Sequence, residues 1–474
     1  MTAEQILAQL AAYKKDDLPT HGGTTTAYVF DPGDPAIDDI ALRAYELLAH
    51  VNGIDPTQFP SVARIENDLV ATVAGQLGGD AATVGTVTSG GTESCLLAVL
   101  GARELWRAKK LTGTPRIVVP NTVHAAFYKA AHLFGLDAVT VPVDPLTLRA
   151  DPAAMAAAIG PLTALVVASA PSYAYGVLDP VREIAAAALN AGVPCHVDAC
   201  IGGWVLPFLE GVAPFDLSVP GVTSLSVDLH KYGYVPKGVS VLLHKNSELR
   251  LRHWFTIAGW AGYPLVNPTL ASSRPVGPMA SAWAVQKYLG ADGFRALARS
   301  AHAAAAQLAA GIADIDGLRV VGGVDSTLVA FADDGGPDDP DVRVVVDELA
   351  LRGWHLQIQP SVRHVPTTAH ATITASAAGK MPELLAVLRD SVAAARLVGR
   401  AAADPDLIAA AAQIDVAELT EEQVGFLLEM AGVGGSAGLP ERMAPVHALV
   451  EALPGPLAER LLAGVLSRQL TPEA

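Results

Sequence analysis

The chain has 474 residues, 51% of them hydrophobic and 17% charged, which excludes disorder over most of its length and points to a large core domain with one or two smaller partners. With 32 basic and 48 acidic residues the formal charge is −16, a balance that disfavours nucleic acid and anionic membrane, although a small basic pocket can still hold a phosphate. Three cysteines, Cys95, Cys195 and Cys200, have neither the count of a disulfide scaffold nor the spacing of a compact metal site, and read as buried small hydrophobes.

The opening MTAEQILAQLAAYKKDD is a short amphipathic segment without the basic region, apolar core and cleavage site of a signal peptide. Ala-rich stretches elsewhere are broken by Pro, Asp, Glu or Arg, so no transmembrane anchor is expected and a cytoplasmic protein is inferred. Residues 1–60 hold HGGTTTAYVFDPGDP, a helical pattern from Ile40 to His50 and the turn-prone NGIDPTQFP. Such a segment cannot form a core alone and is expected to pack on a larger domain or a second subunit.

From Ser61 the pattern is regular. SVARIENDLVATVAGQLG has a helical period, TVGTVTSGG reads as a strand running into a glycine turn, and Glu93 to Lys109 is helical again. RIVVP, DAVTVPV, TALVVASA and PCHVDA then alternate with helices around His124–Phe134, Asp151–Ala158 and Val181–Asn190, the signature of crossovers onto a mostly parallel sheet. SLSVDLH and GVSVLLH extend that sheet, and helices from Met279 to Leu289 and from Gly293 to Ile312 close a large domain spanning 61–314. Residues 315–400 read strand, strand, helix, strand, strand, a small α+β domain. Residues 401–474 are an acidic helical appendage.

Four features fall at strand ends or helix starts, where open sheets place ligands. In Ser89-Gly90-Gly91-Thr92-Glu93 the glycines allow close approach to an anion at a helix N-terminus, without the lysine of an ATP-binding loop or the full dinucleotide fingerprint. Asp198, ending PCHVDA, suits a protonated pyridine nitrogen; its plainer reading is a helix cap or a solvated loop acid. Lys231, in SVDLHKYGY, follows an apolar strand. An apolar, aromatic setting depresses a lysine pKa and favours a Schiff base, whereas the bland alternative is a snorkelling surface lysine. His124 can stack on a planar cofactor or simply begin a helix. His132 lies eight residues on, but no third ligand is in view and a zinc centre is rejected. Together the four supply the parts of a site for pyridoxal 5′-phosphate (PLP).

On these motifs the chain resembles the sphingosine-1-phosphate lyase branch of the PLP-dependent (group II) decarboxylase superfamily. VTSGGTES, VHAAFYKAAHLFG, HVDACIGGW and SLSVDLHKYGYVPKG match in order, and QFPSVARIENDLV and DELALRGWHLQIQPSVRH extend the likeness over about residues 20–390. The resemblance implies a type I PLP-dependent fold, with a large mostly parallel-sheet domain and a small C-terminal α+β domain, in a homodimer with sites at the subunit interface. It implies Lys231 as the Schiff-base lysine, Asp198 as the pyridinium partner and His124 as the ring-stacking residue. Gly91, Thr92 and His230 become neighbours of the cofactor phosphate, with Ser272 and Ser273 completing the cup from the other subunit. Lys237 and Tyr28 resemble residues directed toward the substrate. Two departures bear on that substrate. Asp55 stands in NGIDPTQFP where the family carries a histidine that helps receive a substrate phosphate, and Tyr175 stands in PSYAYG where it carries another. An acid near a phosphate is repulsive unless protonated or cation-paired.

The expected reaction breaks a bond at the α-carbon of an amine-bearing substrate. Carbon–carbon cleavage of a phosphorylated amino alcohol and amino-acid decarboxylation carry equal weight; an aminotransferase is disfavoured, and a non-catalytic binding or scaffold protein of the same fold is the alternative of another class.

Overall fold

The computed structural model describes residues 1–362, 365–403, 405–430 and 440–472, and the chain divides into two compact units. The first comprises residues 1–306, 322–328 and 372–379, and the second residues 307–321, 329–371 and 380–474.

The first unit is built on seven strands: β1 (Val84–Thr88), β2 (Arg116–Pro120), β3 (Asp137–Val141), β4 (Thr163–Ser169), β5 (Cys195–Asp198), β6 (Val222–Asp228) and β7 (Ser240–His244). Their order is β1-β7-β6-β5-β4-β2-β3. The pairs among β2 to β6 are parallel, and β7 runs antiparallel to both β6 and β1. All seven residues of β4 and all four of β5 are buried, as strands covered on both faces require. The crossover helices expected from the sequence are present at Gly91–Ala108, Ala126–Phe134, Pro152–Ala158 and Val181–Asn190. Asp151 caps the third of these by accepting the Ala153 and Ala154 N–H groups.

Two local differences from the sequence reading have simple causes. The helices expected at 279–289 and 293–312 form one element, Gly277–Ala313, interrupted at Gly290, whose φ of 58° and ψ of −175° no other residue type adopts readily. A hairpin of β8 (Phe255–Ile257) and β9 (Leu265–Asn267) was not foreseen, since three-residue strands carry too little alternation to register.

The second unit carries a four-stranded sheet, in order β10-β11-β13-β12, from β10 (Leu318–Val321), β11 (Leu328–Asp333), β12 (Gln357–Gln359) and β13 (Thr368–Thr372). The helix Val342–Ala350 bears buried acids that reach C-terminal residues. Asp347 accepts the backbone N–H groups of Met443 and Ala444 at 2.9 Å each, opening the helix Ala444–Ala452. Glu348 pairs with Arg352 and Arg442 at 2.6 Å each, and Arg343 bridges Asp341 and Glu451, both at 2.9 Å.

Candidate active site

Register places the chemistry. Pairing of Ser169 with Asp198, and of Asp198 with Ser226, brings β4, β5 and β6 to a common carboxyl edge, where Asp198 and Asp228 end their strands. On the other side β1 turns through Ser89-Gly90 into the helix starting at Gly91. Between them lies a cavity of about 370 Å³, lined by Gly91, Thr92, His124, Asp198, His230 and Lys231 as the sequence had suggested, and also by Cys95, Tyr173, Cys200 and Asp228.

The helix Gly91–Ala108 begins without a side-chain cap, so its first N–H groups face the cavity with the positive end of an eighteen-residue dipole. Glu93 does not neutralise that end from within the cavity. Its carboxylate is spent on the backbone N–H groups of Ser89 at 2.7 Å and Leu270 at 2.8 Å. Gly91 is required by closeness: a Cβ there would come within 2.7 Å of both Asp228 Oδ1 and Cys200 Sγ.

Lys231 is not the depressed lysine that its apolar sequence setting suggested. Burial, the largest single influence, works to release its proton, but the Asp228 carboxylate 3.0 Å from Nζ, joined by Cys200 and Asp198, raises the pKa above the ordinary lysine value. Asp228 is buried at 3% side-chain exposure, and although burial pushes its carboxyl upward, Lys231 and then His230 hold it below its usual value. Among the described residues its other oxygen, Oδ1, meets no donor within hydrogen-bond geometry, and the neighbouring Ser240 hydroxyl donates to Val227 O at 2.9 Å. Asp198 accepts the Cys200 N–H at 3.1 Å and is buried. His124 precedes the helix Ala126–Phe134, its Nδ1 accepting the Ala126 N–H at 3.2 Å, with the ring exposed at the cavity rim.

Lys237 is the lysine with the depressed pKa. Burial, then the charge of Lys231, lowers it to about 8, while Nζ donates to His230 O at 3.1 Å and sits 4.6 Å above the Phe30 ring. This predicts acylation of Lys237 by an N-hydroxysuccinimide ester with a half-maximal rate near pH 8, because the amine is charged below that pH and neutral above it. Site-resolved mass spectrometry would show this, and a rate still climbing toward the ordinary value of 10.5 would refute it.

Other expected site residues lie elsewhere. Tyr175 is buried and lines no part of this cavity, while Tyr173, two residues earlier in the same turn, does. Tyr28, with a φ of 64°, is exposed outside the lining. It is nonetheless near enough to Tyr173 to add to the burial that raises that phenol, which Lys231 lowers. Asp55 lines a different cavity of about 730 Å³ with Arg250, Trp254 and Arg274. Its carboxylate accepts the Thr57 hydroxyl at 2.6 Å and the Thr57 N–H at 2.8 Å, so it is occupied within its own turn. Ser272 and Ser273 are exposed and line neither cavity.

The residues present fit PLP. A capless helix end behind Gly90 and Gly91 can receive a phosphate, a buried carboxylate at Asp198 a protonated ring nitrogen, an exposed imidazole a ring face, and Lys231 an aldehyde.

Comparison with known proteins agrees with this geometry. Residues 35–333 match the family model described as the pyridoxal-dependent decarboxylase conserved domain, and residues 405–468 match a model named for a C-terminal HTH domain of pyridoxal-dependent enzymes. A sphingosine-1-phosphate lyase of Dictyostelium discoideum is 37% identical over 354 residues, covering 74% of this chain and 65% of that protein. The lyase of Oryza sativa subsp. japonica is 36% identical, covering 82% of this chain and 72% of its own. Among solved structures, the sphingosine-1-phosphate lyase of Burkholderia pseudomallei matches with a TM-score of 0.78 at 33% identity, covering 84% of this chain and 92% of its own. A glutamate decarboxylase of Lactobacillus brevis, 20% identical with a TM-score of 0.75, shares the fold; the match covers 84% of this chain and 93% of that one.

Proposed function

We propose a carbon–carbon lyase reaction from one premise: the chain belongs to the pyridoxal-dependent decarboxylase family, in the branch of the sphingosine-1-phosphate lyases. The substrate on this reading is a phosphorylated long-chain amino alcohol resembling sphingosine 1-phosphate, cleaved beside its amine-bearing carbon to an aldehyde and a phosphorylated amine. The observation that carries it is Lys231 held against Asp228 in a cavity facing an uncapped helix N-terminus, within a chain 33–37% identical to the lyases named above.

When bound, PLP supplies the electron sink that lets a bond to the α-carbon break heterolytically. The chain's own residues do the rest. Lys231 would anchor the cofactor aldehyde and, when free, serve as a base within the cavity. Asp198 would hold a proton on a ring nitrogen, and His124 at the cavity rim would offer its imidazole to a ring face. Gly91, Thr92 and His230 would receive the phosphate. Lys237 and Tyr28 would be directed toward the substrate, and Tyr173, which feels the charges of both Tyr28 and Lys231, lines the cavity. Proton removal from a substrate hydroxyl falls to a group in this set.

Amino-acid decarboxylation is the second reading, favoured by Asp55 standing in place of a histidine. Its force is reduced because the Asp55 carboxylate is bound to Thr57 and lies outside the Lys231 cavity. The two separate in one assay of PLP-loaded protein offered sphingosine 1-phosphate or amino acids, with long-chain aldehyde and CO₂ quantified separately. Aldehyde without CO₂ is expected; CO₂ without aldehyde would transfer the assignment to decarboxylation.

A homodimer is part of the proposal. The hairpin and its turn expose Phe255, Trp260, Tyr263 and Val266, an apolar patch of the kind that subunit contacts cover. A cytoplasmic setting is supported by three buried cysteines without a disulfide. Among the described residues no helix is long and apolar enough to cross a membrane. The segment 405–468 carries nine carboxylates and three arginines, a balance that disfavours nucleic acid despite the name of its model.

A further inference from the structure

The cysteines read from sequence as three equivalent core residues separate in space. All three pack in the apolar core as expected, Cys195 on β5, but Cys95 and Cys200 also line the cavity with Asp198. One sulfur from each of the two and one Asp198 oxygen lie within 4.8 Å of one another, and all three residues are buried. A tetrahedral soft-metal site needs thiolate–metal bonds of about 2.3 Å and carboxylate–metal bonds of about 2.0–2.2 Å, hence ligand atoms roughly 3.5–3.8 Å apart. The present upper bound of 4.8 Å lies about an ångström above that spacing.

Two further observations point to a cation. Asp228 Oδ1 is buried and, among the described residues, without a hydrogen-bond partner, and it and Cys200 Sγ both press on Gly91, each 2.7 Å from where a Cβ there would stand. Both atoms therefore crowd the Gly91 Cα from the same side and lie close to each other, so Asp228 stands beside Cys200 as a fourth donor. Charge agrees: of the three acids that line the cavity, Glu93 is taken up by backbone N–H groups, and Asp198 and Asp228 remain against the single ammonium of Lys231. The ligands are also braced from behind, because Cys200 Sγ donates to Ser226 Oγ at 3.2 Å, and that hydroxyl in turn contacts His196 Nε2 at 3.2 Å.

We propose that Cys95, Cys200 and Asp198 form a binding site for a thiophilic divalent metal such as zinc in the cofactor-free protein, and that metal and PLP exclude each other. Binding releases the two thiol protons to solvent and leaves the metal on two thiolates and a carboxylate. Exclusion follows because Asp198 has one carboxylate to give, a clause that rests on its assignment above as ring-nitrogen partner. The metal would act as an inhibitor of cofactor loading, and PLP as the agent that expels it.

The experiment uses full-length protein freed of cofactor and metal, kept reduced with a phosphine, and titrated with cobalt(II), whose bonds to thiolate absorb in the near ultraviolet. Expected is one cobalt per chain in the wild type and in Cys195→Ala, and loss of the band in Cys95→Ala and Cys200→Ala. Cys200→Ser, which keeps a hydroxyl toward Ser226, covers the case in which alanine unfolds the chain. Asp198→Asn, with both thiols intact, should weaken cobalt binding at least tenfold. Adding PLP should lower the band in step with the rise of the cofactor's own visible absorbance. Absence of a band in the wild type, or a band indifferent to both cysteines, would overturn the site. A band that persists at full cofactor occupancy would overturn the shared use of Asp198. Failure of PLP to bind metal-free protein would instead count against the cofactor assignments, and the cobalt titration reads independently of it.

Discussion

Lys231→Ala should abolish the visible absorbance of lysine-linked PLP in the native protein and lower turnover by at least about 10³-fold, the scale on which a covalent and acid–base group acts. Affinity for the cofactor should fall without vanishing, since the uncapped helix end and Asp198 are untouched by the change. The variant thus separates anchoring from holding. Equilibrium dialysis would find bound PLP while the spectrum shows none linked. An unchanged visible spectrum would refute the anchor, and complete loss of binding would show that the helix end and Asp198 hold nothing by themselves. Lys237, six residues on and the more readily deprotonated of the two, is the natural rival; if it were the anchor, the spectrum would survive at Lys231→Ala and disappear at Lys237→Ala.

Asp228→Asn carries the second large effect, on the cofactor-free protein. It keeps the shape of the side chain and removes the charge, leaving a largely buried ammonium at Lys231 without its counter-ion, a change that typically costs about 3–5 kcal/mol. The pH dependence has two limbs. Asp228 has a lowered folded-state pKa, so its contribution is complete above the ordinary carboxyl pKa and is lost as pH falls through the folded value. Lys231 has a raised one, so its contribution is complete below the ordinary lysine pKa and is lost as pH rises through the folded value. The difference between wild type and variant should be flat from about pH 5 to pH 9 and shrink under acid. Denaturation midpoints of cofactor-free protein at three pH values would show it. A Lys231→Ala background, in which the lost partner is already missing, should remove most of the effect, and full additivity would refute the pairing.

Both predictions turn on a residue pair of which the sequence revealed one half. Lys231 stood out as a cation after an apolar strand. Asp228 stands in the same motif three residues earlier, and its place on the strand's last position is the signal in the sequence for its role. The sign of the lysine's pKa was misjudged for that reason: apolar neighbours were visible in one dimension, and a carboxylate folded back at 3.0 Å was not. The sheet was far easier to read. The strands TALVVAS and CHVD are buried at every position, and the helix Val181–Asn190 begins and ends where its period does. Tyr175 against Tyr173 marks the limit of such reading, because inside a turn there is no period to say which ring faces the cavity. Cys95 and Cys200 mark another. They sit 105 positions apart, and only the docking of a helix against the carboxyl edge of the sheet makes them neighbours.

The acids on the helix Val342–Ala350 have a consequence for the order in which the chain is made. Asp347 and Glu348 are buried, and Asp347 finds its carboxylate partners in the backbone of Met443 and Ala444. During synthesis that helix leaves the ribosome nearly a hundred residues before those partners do. Until then Asp347 keeps its carboxylate in water, while Glu348 has one of its two arginines, Arg352. The first unit has no such debt to the C-terminus, because its sheet is complete by His244. The residues that line the cofactor cavity are therefore all made by Lys231, well before Asp347 receives its partners at Met443 and Ala444.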